Sequence, residues 1–358
     1  MHRHSLSVKN TAPNFGHIGD SRCGGSPELR LNPLTREWVV IEKSGVVKPE
    51  DFVEKRPIKE LPDHSGTCHF CVGNEDCMPD EIYRVEGERG WNVRVVRNRF
   101  SRLSEESPLR RWGSGIQRTA NSVGLHEIII ETPFHNHSIA SMPPDQLKSV
   151  IETYKKRLVE IYRDPRVEYV VIFKNSGLLS GTSCEHSLTQ MVGIPVTPLQ
   201  IRDRVEAYMK FHDDTGECLM CRLIREEVQD EERIVVETEN FISCVPYAAF
   251  SPFHLWIFPK RHSGSISDIS NDEMQDFSKI LKTTMLKLCH GLGDPDFNYA
   301  IKSARPSNCA STFQHWYMSI VPRISYISGF EIASGMYVNP VQPELSAKFL
   351  REVAIPQF

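Results

Sequence analysis

The feature that most constrains the fold of this 358-residue chain is an internal repeat. Four sequence elements occur twice in the same order: a Cys-x-x-Cys pair, a histidine, an Asp-Pro dipeptide followed by a tyrosine, and a second histidine. They are Cys68/Cys71, His135, Asp164-Pro…Tyr169 and His186, and then Cys218/Cys221, His262, Asp294-Pro…Tyr299 and His315. Because four matches in the same order are improbable by chance, we interpret the two halves as the product of an internal duplication.

Patterns typical of strands and helices recur in both halves. In the first half, the runs at 91–98, 124–131 and 169–173 predict strands, and residues 143–163 have apolar side chains at helical spacing. The second half repeats this order, with a predicted helix at 271–290 and another at 203–217. We therefore predict the α+β class, with repeats at 27–197 and 198–358, each a sheet backed by helices.

Composition and charge disfavour two kinds of partner. A formal net charge of −4 and a pI of about 6.4 make nucleic acid a poor partner. No apolar run approaches the roughly 20 residues that a membrane-spanning helix needs. Residues 1–26 are polar and predict a disordered lead-in without a secretory signal, and residues 101–120 predict a long loop. We expect a cytosolic protein.

The placement of the ten cysteines favours metal binding over disulfides. Four of them form the two Cys-x-x-Cys pairs, which in a cytosolic chain of this size are typical of metal sites. Zinc takes four ligands in a tetrahedron, commonly two cysteines and two histidines. The predicted sets are Cys68, Cys71, His135 and His186 in the first half, and Cys218, Cys221, His262 and His315 in the second. We expect two zinc ions per chain.

The histidines of these sets also have other interpretations. A single histidine is more often a surface residue or a hydrogen-bonded core residue than a ligand. His126, His137 and His254 lie nearby in the sequence and compete for the third ligand position. Repetition of the complete set in both halves favours metal.

The stretch from Phe173 to Gln190 is a candidate phosphate site. The apolar run that ends at Phe173 predicts a buried strand, and Gly177 and Gly181 then permit a tight loop with free N–H groups. Polar side chains follow, among them Ser183. A strand that leads into such a loop is typical of phosphate binding. The same residues can also serve only the turns of the loop.

In its motifs the chain resembles the galactose-1-phosphate uridylyltransferase family of the histidine triad superfamily. The resemblance covers residues 27–356 and is closest to the plant ADP-glucose phosphorylase branch. The motifs are Asn-Pro-Leu-Thr-x-x-Trp-Val from Asn32, the first Cys-x-x-Cys pair, Phe-x-Asn-x-Gly-x-x-x-Gly-x-Ser from Phe173, Gly329-Phe-Glu-Ile332 and Tyr337. The resemblance implies two fused histidine-triad repeats with antiparallel sheets, and zinc at the first set and, as in the plant branch, at the second.

The resemblance also implies a reaction and a set of site residues. In the family, the ligand that matches His186 is followed by a nucleophilic histidine, which attacks the α-phosphate of a nucleotide sugar. A hexose 1-phosphate or phosphate then accepts the nucleotide from the covalent intermediate. Asn175, Ser183 and Gln190 match the residues that contact phosphate, and Asn98 matches a ribose contact. The implied substrate-binding positions are Lys48, Asn98, Phe173, Asn175, Gly177, Gly181, Ser183, Gln190, Phe330 and Glu331, with Gln190 also at the catalytic centre.

Two departures from the family pattern concern the chemistry itself. The nucleophile position holds Leu188, which has no lone pair and cannot form the intermediate, and the second repeat has Tyr317 there. In the segment that holds the sugar phosphate, two arginines of the family are replaced by Gly45 and Lys48. Lysine keeps the positive charge but lacks the bidentate geometry with which arginine binds phosphate.

These observations leave three functional hypotheses. The first is a protein that binds a UDP- or ADP-hexose and has weak or no double-displacement activity. The second is an active nucleotidyltransferase or phosphorylase that works by a modified mechanism, such as direct displacement. The third is a structural partner of an active paralogue. Because the family tends to be dimeric, a homodimer is expected.

Overall fold

The computed structural model describes residues 25–54, 60–78 and 80–357. The predicted lead-in at 1–26, apart from its last two residues, lies outside this part of the chain. The described residues contain fifteen strands: β1 (Glu28–Leu31), β2 (Trp38–Ile41), β3 (Glu81–Val85), β4 (Val93–Arg97), β5 (Arg111–Ser114), β6 (Gln117–Ala120), β7 (Leu125–Ile130), β8 (Tyr169–Ser176), β9 (Leu188–Ile194), β10 (Ile234–Glu237), β11 (Phe241–Cys244), β12 (Leu255–Pro259), β13 (Phe297–Lys302), β14 (Tyr317–Pro322) and β15 (Tyr337–Asn339). They also contain six α-helices: α1 (Pro144–Ile161), α2 (Leu199–Thr215), α3 (Leu219–Asp230), α4 (Asn271–Leu292), α5 (Gly329–Ser334) and α6 (Pro343–Glu352).

A ten-stranded antiparallel sheet runs through both halves of the chain. Its order is β10-β11-β12-β14-β13-β8-β9-β7-β4-β3, so five strands of each half meet at a central seam where β8 pairs with β13. Outward from this seam, the two halves follow the same strand order. The predicted α+β class with two antiparallel repeats is confirmed, and the two sheets are joined edge to edge into one. The division into domains after residue 197 stays a prediction.

Helices α1 and α4 cover one side of this sheet, the back face, and pack on each other. Both helices have an apolar stripe with three- and four-residue spacing. In α1 the buried stripe includes Leu147, Val150, Ile151, Tyr154, Leu158 and Ile161. Together with inward-facing strand residues, the two helices form a core that contains side chains from both halves. The predicted helices at 143–163 and 271–290 are confirmed with small shifts at their ends.

The opposite side, the front face, is covered by α2 and α3 in the second half. Tyr208 of α2 and Met220 of α3 belong to one buried cluster with Trp256, Phe258 and Tyr317 of the sheet. A separate small sheet, β1-β2-β15, contains the strand pair expected near the start of the chain. No helix of the described residues has the length and the apolar character that crossing a membrane requires.

Two local expectations about secondary structure are incomplete. Residues 101–120, predicted as a loop, contain the exposed hairpin β5–β6. Helix α3 begins at the second Cys-x-x-Cys pair, where the sequence patterns predict no helix.

The match between Tyr169 and Tyr299 in the repeat is wrong in its register. Tyr299 contacts Tyr154 of α1 on the back face, whereas Tyr169 lines a cavity on the front face. Because strand side chains alternate, a shift by an odd number of residues puts a side chain on the other face. The match between Leu188 and Tyr317 agrees with the structure, since each is the first residue of its strand.

A buried ion pair lies directly behind the start of β9. Lys174 Nζ donates to Glu131 Oε2 at 2.6 Å, to Ser187 Oγ at 2.8 Å and to the Leu188 carbonyl at 3.0 Å. The other Glu131 oxygen accepts from Thr189 at 2.6 Å. Burial alone would raise the pKa of Glu131, but Lys174 and the hydroxyl donors lower it overall. The network therefore keeps both charges and fixes the backbone next to position 188.

Removing one partner of this pair should be strongly destabilising. We expect Lys174→Met to lower the free energy of unfolding by about 3–5 kcal/mol, because it leaves the Glu131 carboxylate buried without a counter-ion. The matched control is Lys156→Met, which breaks an exposed pair with Glu152 and should cost less than about 1 kcal/mol. Denaturant unfolding measures both, and equal effects of the two variants would contradict the prediction.

Candidate functional site

The four residues of the first predicted metal set lie together. Cys71 Sγ is 3.5 Å from His135 Nδ1 and 3.7 Å from His186 Nδ1, and Cys68 Sγ is also 3.7 Å from His186 Nδ1. In a zinc tetrahedron with bonds of about 2.0–2.3 Å, sulfur and nitrogen ligands lie roughly 3.5 Å apart. This set can therefore hold one metal ion.

The second set has the same geometry. Cys221 Sγ lies 3.2 Å from His262 Nδ1 and 3.5 Å from His315 Nδ1, and in each half all four ligand atoms lie within 4.8 Å of one another. Hydrogen bonds from Cys221, His262 and His315 lower the pKa of Cys218. A lowered thiol pKa favours the thiolate, which is the form that binds metals.

Backbone carbonyls orient the ligand histidines. His186 Nε2 donates to the Thr132 carbonyl at 2.8 Å, and His315 Nε2 donates to the Pro259 carbonyl at 2.9 Å. A proton held on Nε2 leaves the lone pair of Nδ1 directed at the cysteines. The competing histidines His126, His137 and His254 lie outside both groups.

A polar cluster on the front face of the first half connects three strands. His126 Nε2 of β7 lies 2.9 Å from Gln190 Oε1 of β9, and Asn98 Nδ2, just after β4, lies 3.1 Å from the same ring nitrogen. Burial lowers the pKa of His126, which favours the neutral ring. The Gln190 NH2 group has no hydrogen-bond partner among the described residues, so it can donate to a ligand.

The predicted phosphate loop follows β8 and is held by the second half. Asn298 of β13 donates to Asn175 Oδ1 at 2.8 Å and to the Ser180 carbonyl at 2.9 Å. Gly177 has a φ of +86°, and a Cβ there would lie 1.9 Å from an Asp296 carboxylate oxygen. Only glycine therefore fits this position without a rearrangement.

The remaining loop residues lie next to this arrangement. Gly181 has a φ of +95°, and Ser183 is exposed with a free hydroxyl within the described chain. Phe173 lies on the front face of β8, directly opposite Gln190 in the strand register. The structure thus brings Phe173, Asn175, the glycine loop and Gln190 together on the front face, near the end of β8 from which the loop departs.

Leu188, at the start of β9, belongs to an apolar cluster on the front face. It is 8% exposed and belongs to a buried group with Trp91, Ile128 and Ile130, against which Cys184 packs. Its backbone carbonyl is held from behind by Lys174. The side chain at the expected nucleophile position therefore has only a packing role in this fold.

The chain is similar in sequence to proteins of one known family. Residues 20–264 match the model of the galactose-1-phosphate uridyl transferase N-terminal domain. The chain is 34% identical to an ADP-glucose phosphorylase of Arabidopsis thaliana over 355 residues, which cover 98% of this chain and 99% of that protein. The chain belongs to the galactose-1-phosphate uridylyltransferase family.

A second relative and a solved structure are similar along nearly the whole chain. A galactose-1-phosphate uridylyltransferase of Thermotoga maritima is 30% identical over 338 residues, covering 92% of this chain and 99% of that protein. The crystal structure of an ADP-glucose phosphorylase from Arabidopsis thaliana with bound ADP-glucose superimposes with a TM-score of 0.77 at 32% identity. It covers 93% of this chain and 100% of that one.

Three positions expected from the uridylyltransferase family have no hydrogen bond to the predicted phosphate contacts within the described residues. Lys48 is exposed and precedes the 3-10 turn Pro49–Phe52, which packs against α6 of the second half. Phe330 and Glu331 lie in α5, where the Glu331 carboxylate accepts from the Ser328 N–H at 2.9 Å. None of the hydrogen bonds within the described residues joins these three side chains to Asn175, Ser183 or Gln190.

Sequence reasoning missed two residues that shape this site. It considered His126 only as a competing metal ligand, and it did not consider Asn298, which holds Asn175 across the central seam. The alternation of β7 gives a signal for His126, because His126 shares a face with Ile128 and Ile130. Asn298 has no such signal, because its role depends on which strands form the seam.

Each Cys-His set should bind its own metal ion. We expect about two metal ions per chain, and about one in both Cys71→Ser and Cys218→Ser, because each serine variant loses a soft ligand. Elemental analysis of purified protein gives the number. Cys77→Ser, which changes an exposed cysteine outside both sets, is the matched control and should keep two. A metal-free wild-type protein would contradict the prediction.

Proposed function

We propose that this protein binds a nucleotide sugar, an ADP- or UDP-hexose, on the front face of its first half. The arrangement of Gln190, His126 and Asn98 carries this proposal, because it presents an unpaired amide donor beside the glycine loop after β8. Amide donors and free loop N–H groups are suited to phosphate oxygens. Support comes from the relative that is named an ADP-glucose phosphorylase and from the similar structure with ADP-glucose bound.

The same proposal holds that the double displacement of the family is weak or lost. A covalent nucleotidyl intermediate needs a side-chain lone pair at position 188, and a leucine has none. Leu188 is also almost fully buried among apolar side chains. Without its nucleophile, an enzyme of this kind keeps only the rate enhancement that comes from binding and electrostatics.

We further propose that both metal ions are structural zinc. Each set offers two cysteine sulfurs and two imidazoles, which leaves no open position for a substrate in a four-coordinate site. The first set joins the turn at Cys68 and Cys71 to residues that follow β7 and precede β9. Such an ion would hold the strand that carries Gln190 in place.

A second candidate function is direct transfer of the nucleotide without a covalent intermediate. The observation in its favour is the neutral His126 ring, which holds Gln190 beside the expected phosphate position. In such a reaction a hexose 1-phosphate or phosphate would attack the nucleotide sugar directly, while the protein positions the phosphates. The two candidates share the binding site and differ in turnover.

Calorimetry with ADP-glucose and UDP-glucose tests the binding site. We expect the wild-type protein to bind at least one of them, and Gln190→Ala to weaken binding by about 1.5–3 kcal/mol, the contribution of a hydrogen bond to a charged group. The matched control Gln117→Ala changes an exposed glutamine of β6 and should have no effect. Absence of binding by the wild type at millimolar concentrations would contradict the proposal.

Restoring the nucleophile tests the loss of double displacement. We expect Leu188→His to form a labelled nucleotidyl-histidine with a labelled nucleotide sugar, whereas the wild type and Leu188→Gln form none, since neither has an imidazole there. Mass spectrometry locates the adduct, and thermal unfolding checks that the variants are folded. A histidine adduct in the wild type would contradict the proposed loss of double displacement. Fast turnover by the wild type that Gln190→Ala abolishes would favour direct transfer.

A further inference from the structure

A cavity of about 500 Å³ lies on the front face of the sheet, between the second half and the start of β8. Its walls come from α2, the start of β8, the end of β13, the loop that follows β13 and the start of β14. Cavities of this size are typical of sites for small ligands. The cavity is separate from the polar cluster of Asn98, His126 and Gln190, which lies in the first half.

Two positively charged side chains line this cavity without a counter-ion. Lys302 of β13 makes no hydrogen bond or ion pair with any described residue, and no carboxylate of the described chain forms an ion pair with Arg204 of α2. Arg204 lies beside the Tyr317 hydroxyl. The Glu37 carboxylate interacts with Arg204 only through its long-range charge, without an ion pair. Two cations that share a partly buried cavity repel each other. An anion bound between them would offset this electrostatic repulsion.

The other charges of the cavity are already engaged or lie at its rim. Arg305 donates to the Val167 carbonyl, and its guanidinium lies 5.0 Å from the centre of the Tyr162 ring. Arg202 and Glu206 of α2 are exposed, and so is Glu168, a further carboxylate of the lining that lies just before β8. Burial, with a smaller contribution from Arg204, lowers the pKa of Lys302 to about 8. This direction is expected for a lysine that lacks an anionic partner.

The position of Lys302 in the repeat corresponds to that of a residue at the loop after β8. Lys302 pairs with Tyr317 across the β13–β14 ladder, and Tyr317 is the counterpart of Leu188. In the first half, the β8–β9 ladder pairs Phe173 with Gln190, so its continuation brings Asn175 opposite Leu188. Lys302 is therefore the counterpart of Asn175, at the strand end from which the loop of each half departs.

A buried polar atom in the cavity wall also lacks a partner. Gln314 Oε1 is inaccessible to water and accepts no hydrogen bond within the described residues. An unsatisfied buried acceptor destabilises the folded state. Gln314 lies just before the metal-set residue His315, on the loop that returns from β13 to β14. A ligand with hydroxyl groups can donate to this oxygen once the Gln314 side chain rotates toward the cavity.

We propose that the cavity is a second binding site, which takes a small organic phosphate with its phosphate between Arg204 and Lys302 and a hydroxyl-bearing body, such as a sugar, toward Gln314. Tyr162 and Tyr169 contribute aromatic side chains to the wall against which such a body would pack. The site is distinct from the proposed nucleotide-sugar site and does not require it. The second repeat thus keeps a phosphate-binding position while its nucleophile position holds a tyrosine.

Calorimetry on the full-length protein tests this proposal, with glucose 6-phosphate and inorganic phosphate as probes. To weaken any binding at the first-half site, the comparison is made in a Gln190→Ala background. In that background we expect glucose 6-phosphate to bind, and Lys302→Met to weaken binding by about tenfold or more, because a charged hydrogen bond is lost. Lys302→Arg keeps the charge and should retain most of the affinity. Lys156→Met, a surface lysine of α1, is the matched control and should leave binding unchanged.

Three results would contradict the proposal of a second binding site. One is that glucose 6-phosphate binds no variant of the Gln190→Ala series at millimolar concentrations, and another is that Lys302→Met binds as tightly as its background. A third is an affinity for inorganic phosphate equal to that for glucose 6-phosphate, which would remove the organic body from the proposal. Thermal unfolding shows whether the Lys302 variants are folded, and Arg204→Gln provides a second variant at the same phosphate. Binding that depends on Lys302 in a protein that fails to bind nucleotide sugars would contradict the proposed function and support the second site.

Discussion

The pairing of β8 with β13 is the interaction on which the rest of the structure depends. Five consecutive residue pairs, from Ser176–Phe297 to Ile172–Ile301, join the two halves into one sheet. The helices behind the sheet then share a single core, so neither half buries its apolar surface alone. The same pairing brings Asn298 to Asn175 and Asp296 to Gly177, which shapes the loop of the first half. The candidate site is thus a product of both repeats, although its polar side chains come from the first.

The two faces of β9 explain how the fold can tolerate a leucine at the position of a nucleophile. Ser187 and Thr189 point to the back face and belong to the buried network of Lys174 and Glu131. Leu188 points to the front face, where its neighbours are apolar. Because alternate side chains face opposite sides, the network that fixes the backbone does not depend on which residue occupies position 188. Chemistry and stability are therefore separable along this strand.

The repeat in the sequence was sufficient to predict the fold class, the main helices and the two Cys-His groups that could hold a metal ion, because each rests on local periodicity or on side-chain chemistry. It was insufficient where the outcome depends on register or on distant partners. The equivalence of Tyr169 and Tyr299 failed because a shift by an odd number of residues is invisible in apolar runs. The contact from Asn298 and the unpaired charge of Lys302 depend on which strands meet. Only the three-dimensional arrangement supplies that information.

The central seam also has a consequence during synthesis of the chain. Strand β8 is complete at Ser176, but its partner β13 begins only at Phe297, about 120 residues later. At a ribosomal rate of about 5–20 residues per second, the nascent first half spends roughly 6–24 s with β8 as an open edge. An open edge presents unpaired N–H and C=O groups to any other strand. The nascent chain is thus most exposed to mispairing at the edge that its own second half will later cover.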